Sequence, residues 1–182
     1  MMDDHVIEVD FTGQELFHTE RNVDYFENAH HDMYKKNGYT YILYNETVLY
    51  NGDNFILDGF WVFDQSGVLL QDWRLFDHFQ PARPALGMFG AEDYSHANAL
   101  WADDNGDIFF NMRHLSALAK IKGDPLDPAF GEIIWRISGD PTELDFGMDF
   151  TMTSTAGGPV DFRQQHNPHL LPDGRLRCLT TG

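Results

Sequence analysis

Residues 95–110 read SHANALWADDNGDIFF, a histidine followed by an apolar strand, an Asp-Asn-Gly turn and a second apolar strand. The same order of features occurs in AHHDMYKKNGYTYIL at 29–43 and in QQHNPHLLPDGRLRCL at 164–179. The turn glycines are Gly38, Gly106 and Gly174, and both 106 − 38 and 174 − 106 equal 68. Equal spacing indicates a structural repeat, in which the histidines occupy equivalent places and converge on one axis.

Each repeat has the strand signals of a four-stranded antiparallel meander, with Gly, Asp and Pro between the strands. The predicted strands are 96–102, 107–114, 117–122 and 132–138 in the middle unit, and 31–34, 39–45, 55–64 and 68–75 in the first. Tandem meanders of this kind are typical of β-propeller blades. The sequence therefore predicts an all-β fold built from such blades.

The two ends of the chain carry only parts of the same unit. Residues 5–18 fit the third and fourth strands of a preceding blade, and the last segment fits a first and a second strand. We expect one partial propeller domain, with a half blade at 1–20, blades at 30–77 and 96–139, and a half blade at 165–182. An open arc of about three blades leaves strand edges unpaired, so we expect the chain to be part of a longer reading frame.

Composition limits the classes of partner. The chain has 182 residues, 42% of them hydrophobic, and a formal net charge of −17. No basic cluster matches a phosphate backbone or an anionic membrane, and no apolar run approaches the roughly 20 residues needed to cross a bilayer. The single cysteine, Cys178, excludes an internal disulfide within the chain and a multi-cysteine metal site. We therefore expect a small-molecule substrate, and neither nucleic-acid binding nor membrane insertion.

Polar groups from all three units are candidates for a shared site. His96 and Asn98 are two apart on one predicted strand, so their side chains are expected to share a face, and Arg113 falls near the end of the next strand. The third unit adds His166 and the first adds the pair His30-His31. Two longer segments, 76–95 and 139–165, each precede a repeat histidine and are expected over the same rim.

Several of these motifs, in this order, resemble the bacterial arylsulfate sulfotransferase family. They are HANAL at 96–100, the strand ending FNMRH at 110–114, GEIIWRISG at 131–139, QH followed by a PDG turn, and WRLFDHFQP leading into SHAN. The resemblance covers the chain from about residue 25 onward and about half of a family member, whose fold is a six-bladed propeller. It implies transfer of a sulfuryl group from a phenolic sulfate to a phenol without a nucleotide donor, cofactor or metal, and a periplasmic or extracytoplasmic location.

The resemblance also assigns roles. His166 corresponds to the residue that is transiently sulfated in a ping-pong reaction. His96 and Arg113 correspond to catalytic groups around the sulfuryl oxygens and the bridging oxygen, and Asn98 to a substrate-binding group there. A neutral imidazole suits this chemistry because it is a competent nucleophile near pH 7, while fixed donors stabilise the charge on the transferring group.

The first unit offers two histidines for one further position in the site. Counting from the turn glycine puts His30 level with His166, since 38 − 30 and 174 − 166 both equal 8. The His-Asp dipeptide, compared with His166-Asn167, favours His31 instead. We take His31 as the catalytic residue and His30 as a substrate-binding residue.

The sequence is also compatible with two other functions. Imidazoles from several blades ligate a transition metal in metal-dependent propeller lyases, although Arg113 would repel a cation here. A propeller also serves as a non-catalytic binding scaffold, because fold alone does not specify function. As protein partners of the open arc we expect either the missing propeller blades or further copies of the chain in a homo-oligomer. The aromatic candidates for contact with a phenol are Trp101, Phe89 and Tyr94. The remaining histidines are interpreted as ordinary core or surface residues: His5, His18, His78, His114 and His169.

Overall fold

The computed structural model describes residues 6–19, 29–81, 92–138, 149, 164–171 and 173–179. The strands are β1 (Ile7–Val9), β2 (Glu15–His18), β3 (Ala29–Lys36), β4 (Tyr39–Tyr50), β5 (Asp53–Phe63), β6 (Leu69–Arg74), β7 (Glu92–Asp93), β8 (Ala97–Ala102), β9 (Ile108–Met112), β10 (Ala117–Ile121), β11 (Ile133–Ser138), β12 (His166–Leu170) and β13 (Leu176–Leu179). One 3₁₀ turn, Leu75–Asp77, follows β6. No helix among the described residues has the length and apolar character needed to cross a bilayer.

The strands form four sheets in chain order. β1 pairs with β2, and β12 pairs with β13. Sheet I has the order β3-β4-β5-β6, with the short β7 added in parallel to β5, and sheet II has the order β8-β9-β10-β11. Both large sheets are antiparallel meanders, which confirms the predicted all-β arc of propeller blades. The predicted division into half blades at 1–20 and 165–182 and blades at 30–77 and 96–139 stays a prediction.

Apolar clusters lie between successive sheets. The largest joins sheet I to sheet II and includes Phe60, Trp73 and Phe110, all at most 2% exposed. A second cluster, around Trp61, joins the β1–β2 pair to sheet I, and a third, around Phe109, joins sheet II to the β12–β13 pair. Burial of apolar area between neighbouring sheets therefore stacks them in the order of the chain.

The hairpin turns of the repeat are set by glycine. Gly38, Gly106 and Gly174 have φ of +86°, +83° and +82°, a left-handed conformation that costs glycine little because it has no Cβ. Contacts also join equivalent positions of neighbouring units. The Leu100 N–H donates to Asp32 Oδ2 at 3.0 Å across a separation of 68 residues. This bond holds the first strand of sheet II beside the first strand of sheet I.

The first strand of each unit is irregular close to its histidine. The pairing register shifts between Ala29 and Met33 in β3, between Ala97 and Ala99 in β8, and between His166 and His169 in β12. Such β-bulges insert residues without a partner, bend the strand and redirect side chains. We call β3, β8 and β12 the inner strands.

Some of the predicted strand boundaries are wrong. The β4–β5 hairpin runs on to Tyr50 and resumes at Asp53, because residues beyond the core stay paired although partly exposed. In sheet II, β9 ends at Met112, so Arg113 lies in the turn that follows and not in the strand. His96 lies outside β8 with φ of 45°, so strand alternation does not set the direction of its ring.

Candidate functional site

The starts of the inner strands come together at one end of the stacked sheets. β8 lies between β3 and β12 and contacts both. The rings of His31 and His96 are 5.3 Å apart between centroids, and those of His96 and His114 are stacked at 4.5 Å. His166 lies close enough to His31 to affect its pKa. We call His30, His31, His96, His114 and His166 the histidine cluster.

The short strand β7 brings a carboxylate to this cluster. It pairs with the start of β5, which fixes Asp93 three residues before His96. Asp93 Oδ2 lies 2.6 Å from His96 Nδ1, and the Asp93 carbonyl oxygen lies 2.8 Å from His114 Nδ1. Burial opposes ionisation of Asp93, but the hydrogen bond from His96 and the charges of His96 and His114 outweigh it and lower the Asp93 pKa. Asp93 therefore orients two rings of the cluster.

Arg113 contacts the cluster from the turn after β9. Its Nη1 donates to His114 Nε2 at 2.9 Å, and its Nη2 lies 3.4 Å from Gln164 Oε1. Since a guanidinium can only donate, His114 Nε2 must accept, and the ring carries its proton on Nδ1 toward the Asp93 carbonyl. Burial, the largest effect, lowers the pKa of His114, against the raising effect of Asp93. His114 is thus a neutral ring that holds Arg113 in place.

A second carboxylate, Asp58, reaches the cluster from β5. It is 1% exposed, and its Oδ1 lies 2.9 Å from His30 Nε2. His30 Nδ1 in turn lies 2.6 Å from His31 Nδ1. Partial burial lowers the pKa of His31, and the charges of His30, His96 and His166 act in the same direction against the attraction of Asp58. His31 is therefore neutral near pH 7.

Buried amides fix the start of β12. The Gln165 carbonyl oxygen accepts from Asn98 Nδ2 at 3.1 Å and from Asn111 Nδ2 at 2.9 Å. Gln165 Nε2 donates to Asn111 Oδ1 at 2.8 Å and to the Ala117 carbonyl oxygen at 2.9 Å. Gln165 and Asn111 are fully buried; their amide N–H groups donate within this network, while Gln165 Oε1 has no hydrogen-bond partner among the described residues. The backbone that carries His166 is thereby anchored to sheet II.

His166 is presented by a strained stretch of backbone. Its neighbours Gln164 and Asn167 have φ of 46° and 49°, a region that non-glycine residues rarely occupy. His166 Nδ1 lies 3.0 Å from the Gln164 carbonyl oxygen, which can only accept a hydrogen bond. The proton of a neutral His166 therefore sits on Nδ1 and leaves a lone pair on Nε2. Strain of this kind is maintained only where the surrounding contacts over-determine it.

A metal site is the alternative function that the sequence analysis raises, and one group of possible ligands lies close together in the structure. Single ligand atoms of Asp93, His96 and His114 all lie within 4.8 Å of one another. Both nitrogens of His114 already have hydrogen-bond partners, the Asp93 carbonyl oxygen at Nδ1 and the Arg113 donor at Nε2, so a metal would have to displace one of them. The hydrogen bonds thus favour a protonated network over a metal centre.

The structure brings His30, His31, His96 and His166 together, with Arg113 beside them, and none of the five lies elsewhere. Asn98 is adjacent, but one of its amide protons is already used on Gln165. The neighbouring residues that the sequence analysis missed or set aside are Asp58, Asp93, Asn111 and His114. His114 and Asp93 have a local signal, since His114 is next to Arg113 and Asp93 is three residues before His96. Asp58 comes from a strand that is distant in sequence.

Two of the three aromatic candidates, Tyr94 and Trp101, pack in apolar clusters. Tyr94 is 1% exposed and packs against Phe55 and Phe79 in the main core. Trp101 stacks on Phe109 at 3.9 Å in the third apolar cluster. Phe89 and most of the two longer segments lie outside the described residues. Both rings are used in packing, and their contact with substrate stays a prediction.

The family model described as Arylsulfotransferase (ASST) matches residues 1–180 of the chain. No curated protein and no solved structure matches the chain. The matched range includes every residue of the histidine cluster, both buried carboxylates and Arg113.

Proposed function

Because the chain belongs to the arylsulfotransferase family, we propose that it transfers a sulfuryl group from a phenolic sulfate ester to a phenol, in two steps through a sulfated His166. The observation that carries this proposal is the convergence of His31, His96 and His166 beside Arg113. The overall acidity of the chain opposes an anionic substrate. A local cation and neutral imidazoles supply the binding groups that such a substrate needs.

His166 acts as the nucleophile through Nε2. The bond between Nδ1 and the Gln164 carbonyl oxygen supports this role, because it leaves the Nε2 lone pair unprotonated. In the first step the Nε2–S bond forms as the S–O bond to the donor phenolate breaks. In the second step an acceptor phenol oxygen attacks the same sulfur and the N–S bond breaks. Covalent catalysis divides one difficult displacement into two easier ones.

Arg113 stabilises the transferring group. Its guanidinium contacts His114 and Gln164, so it is already oriented before substrate binds. Asn98 Nδ2 donates one proton to the Gln165 carbonyl oxygen, and we assign its other proton to a sulfuryl oxygen. Removal of one preorganised donor of this type lowers the catalytic rate by about 10²–10³-fold. His96, held by Asp93, and His31 are the two candidates that protonate the departing phenolate.

The test is mass spectrometry of the protein incubated with 4-nitrophenyl sulfate and no acceptor. We expect an added SO₃ group on His166, and no labelling or turnover in His166→Ala. His169→Ala is the matched control, because it removes a histidine from the same strand, outside the cluster, and should keep both signals. A label on no residue, or activity that survives His166→Ala, would reject the mechanism.

A further inference from the structure

Asp58 is a buried carboxylate surrounded by donors. Its Oδ2 accepts from Ser95 Oγ at 2.5 Å and from the Ala97 N–H at 2.6 Å, and its Oδ1 faces His30 Nε2 at 2.9 Å. The Asp58 N–H donates to Ser95 Oγ at 3.0 Å, so the hydroxyl proton is directed to the carboxylate. With its other oxygen filled by two donors, Asp58 acts as an acceptor toward His30. This arrangement resembles the carboxylate of a catalytic triad, which orients an imidazole and stabilises its charged form.

The proton positions of the next two rings follow from Asp58. A neutral His30 that donates from Nε2 to Asp58 has its lone pair on Nδ1. The 2.6 Å contact between His30 Nδ1 and His31 Nδ1 then requires His31 to be the donor. A neutral His31 that donates from Nδ1 has its lone pair on Nε2. The chain of bonds from Asp58 therefore ends in an unprotonated nitrogen on an exposed ring next to His96.

We propose that Asp58, His30 and His31 form a proton relay, in which His31 Nε2 removes the proton from the acceptor phenol during the second step of transfer. The inference rests on the proposed function and extends it to Asp58. As the phenol O–H bond breaks, the proton moves to His31 Nε2 and the phenol oxygen forms its bond to sulfur.

The positive charge formed on His31 is shared along the relay. The Nδ1 proton of His31 shifts to His30 Nδ1, and His30 becomes an imidazolium paired with the Asp58 carboxylate. In the next cycle the proton returns by the same route to the departing donor phenolate, so protons balance over one turnover. The titratable groups facing His31 are His30 on its own strand, Asp58 on β5, His96 before β8 and His166 on β12. Of these, only Asp58 favours the protonated form of His31, which is why the relay needs it.

Two variants test the relay in the full protein. Asp58→Asn removes the negative charge, and His30→Gln keeps an N–H for Asp58 but cannot pass a proton. The donor is 4-nitrophenyl sulfate, whose acidic phenol leaves without a proton, and the acceptor is phenol. The initial burst of nitrophenol reports the first step, and steady turnover reports the second. Asp72→Asn is the matched control, since Asp72 accepts a hydrogen bond from Tyr44, which packs in the apolar cluster around Trp61.

We expect both relay variants to keep the burst and to lose about 10²-fold or more in steady turnover. The loss should shrink as the pH approaches the pKa of the acceptor, about 10 for a phenol, because an ionised acceptor needs no base. A burst and a turnover that fall equally, or a loss that does not change with pH, would overturn the relay and leave a structural role for Asp58. A wild-type protein with no burst and no sulfated His166 would instead refute the proposed function, and the relay with it.

Discussion

Asn111 is the residue through which the core of sheet II controls the position of His166. It is fully buried on β9, donates to Asn98 Oδ1 at 2.5 Å and to the Gln165 carbonyl oxygen at 2.9 Å, and accepts from Gln165 Nε2 at 2.8 Å. Asn111→Ala removes all three hydrogen bonds. At about 0.5–1.5 kcal/mol each, their loss lowers the free energy of unfolding by about 1.5–4.5 kcal/mol.

The variant should remain folded, because single domains are stable by about 5–15 kcal/mol. Its activity can therefore be compared with that of the wild type. Gln165 retains its bonds to Asn98 and Ala117, so the start of β12 stays attached but is held less firmly. We expect slower sulfation of His166 with 4-nitrophenyl sulfate, in addition to the loss of stability. A displacement of about 1 Å in a catalytic group is enough to reduce rate by about 10²-fold.

Urea unfolding measures the stability change, and the rate of His166 labelling measures the change in positioning. Asn54→Ala is the control, because Asn54 is exposed on β5 and its loss should alter stability by no more than about 0.5 kcal/mol. If Asn111→Ala unfolds like Asn54→Ala, the amide network contributes nothing to stability. If it is destabilised but labels His166 at the wild-type rate, the network does not position the nucleophile.

Two further predictions concern the fold. Trp73 is 2% exposed, stacks on Phe60 at 5.2 Å and donates to the Gly131 carbonyl oxygen. We therefore expect Trp73→Ala to lower the free energy of unfolding, measured in urea, by about 3–5 kcal/mol. The loss in Trp135→Ala should be clearly smaller, because Trp135 is partly exposed. Burial lowers the pKa of His114, so its contribution to stability is complete above about pH 6.5 and is lost as the pH falls below that value. The decrease in unfolding free energy from pH 7.5 to pH 5 should therefore be smaller in His114→Gln, and an unchanged decrease would contradict this assignment.

The sequence was most informative where local rules act. The turns at Gly38, Gly106 and Gly174 need a left-handed backbone that glycine adopts readily, and apolar strands beside them leave little choice of pairing. The all-β arc follows from these signals. So does the nearness of His96 to His31, because equal spacing places both at the same end of neighbouring sheets.

The partners of these histidines could not be predicted in this way. Asp58 is 28 residues from His30 in sequence, and only the pairing of β3, β4 and β5 brings them together. Asp93 is only three residues from His96 in sequence, but β7 is held by its pairing with the start of β5, and a strand of two residues has no sequence signal that predicts this pairing. The left-handed backbone of His96 means that strand alternation does not set the direction of its ring. Side-chain networks of this kind depend on tertiary contacts that local sequence does not encode.

The bulges of the inner strands have a consequence for how such a protein diversifies. Each extra residue is confined to the histidine end, and pairing toward the glycine turn resumes its regular register, as from Met33 to Lys36 in β3. Gain or loss of a single residue at a bulge would re-aim the reactive side chain while the hairpin below keeps every partner. A duplicated unit can thus exchange its chemistry at one rim without rebuilding its scaffold.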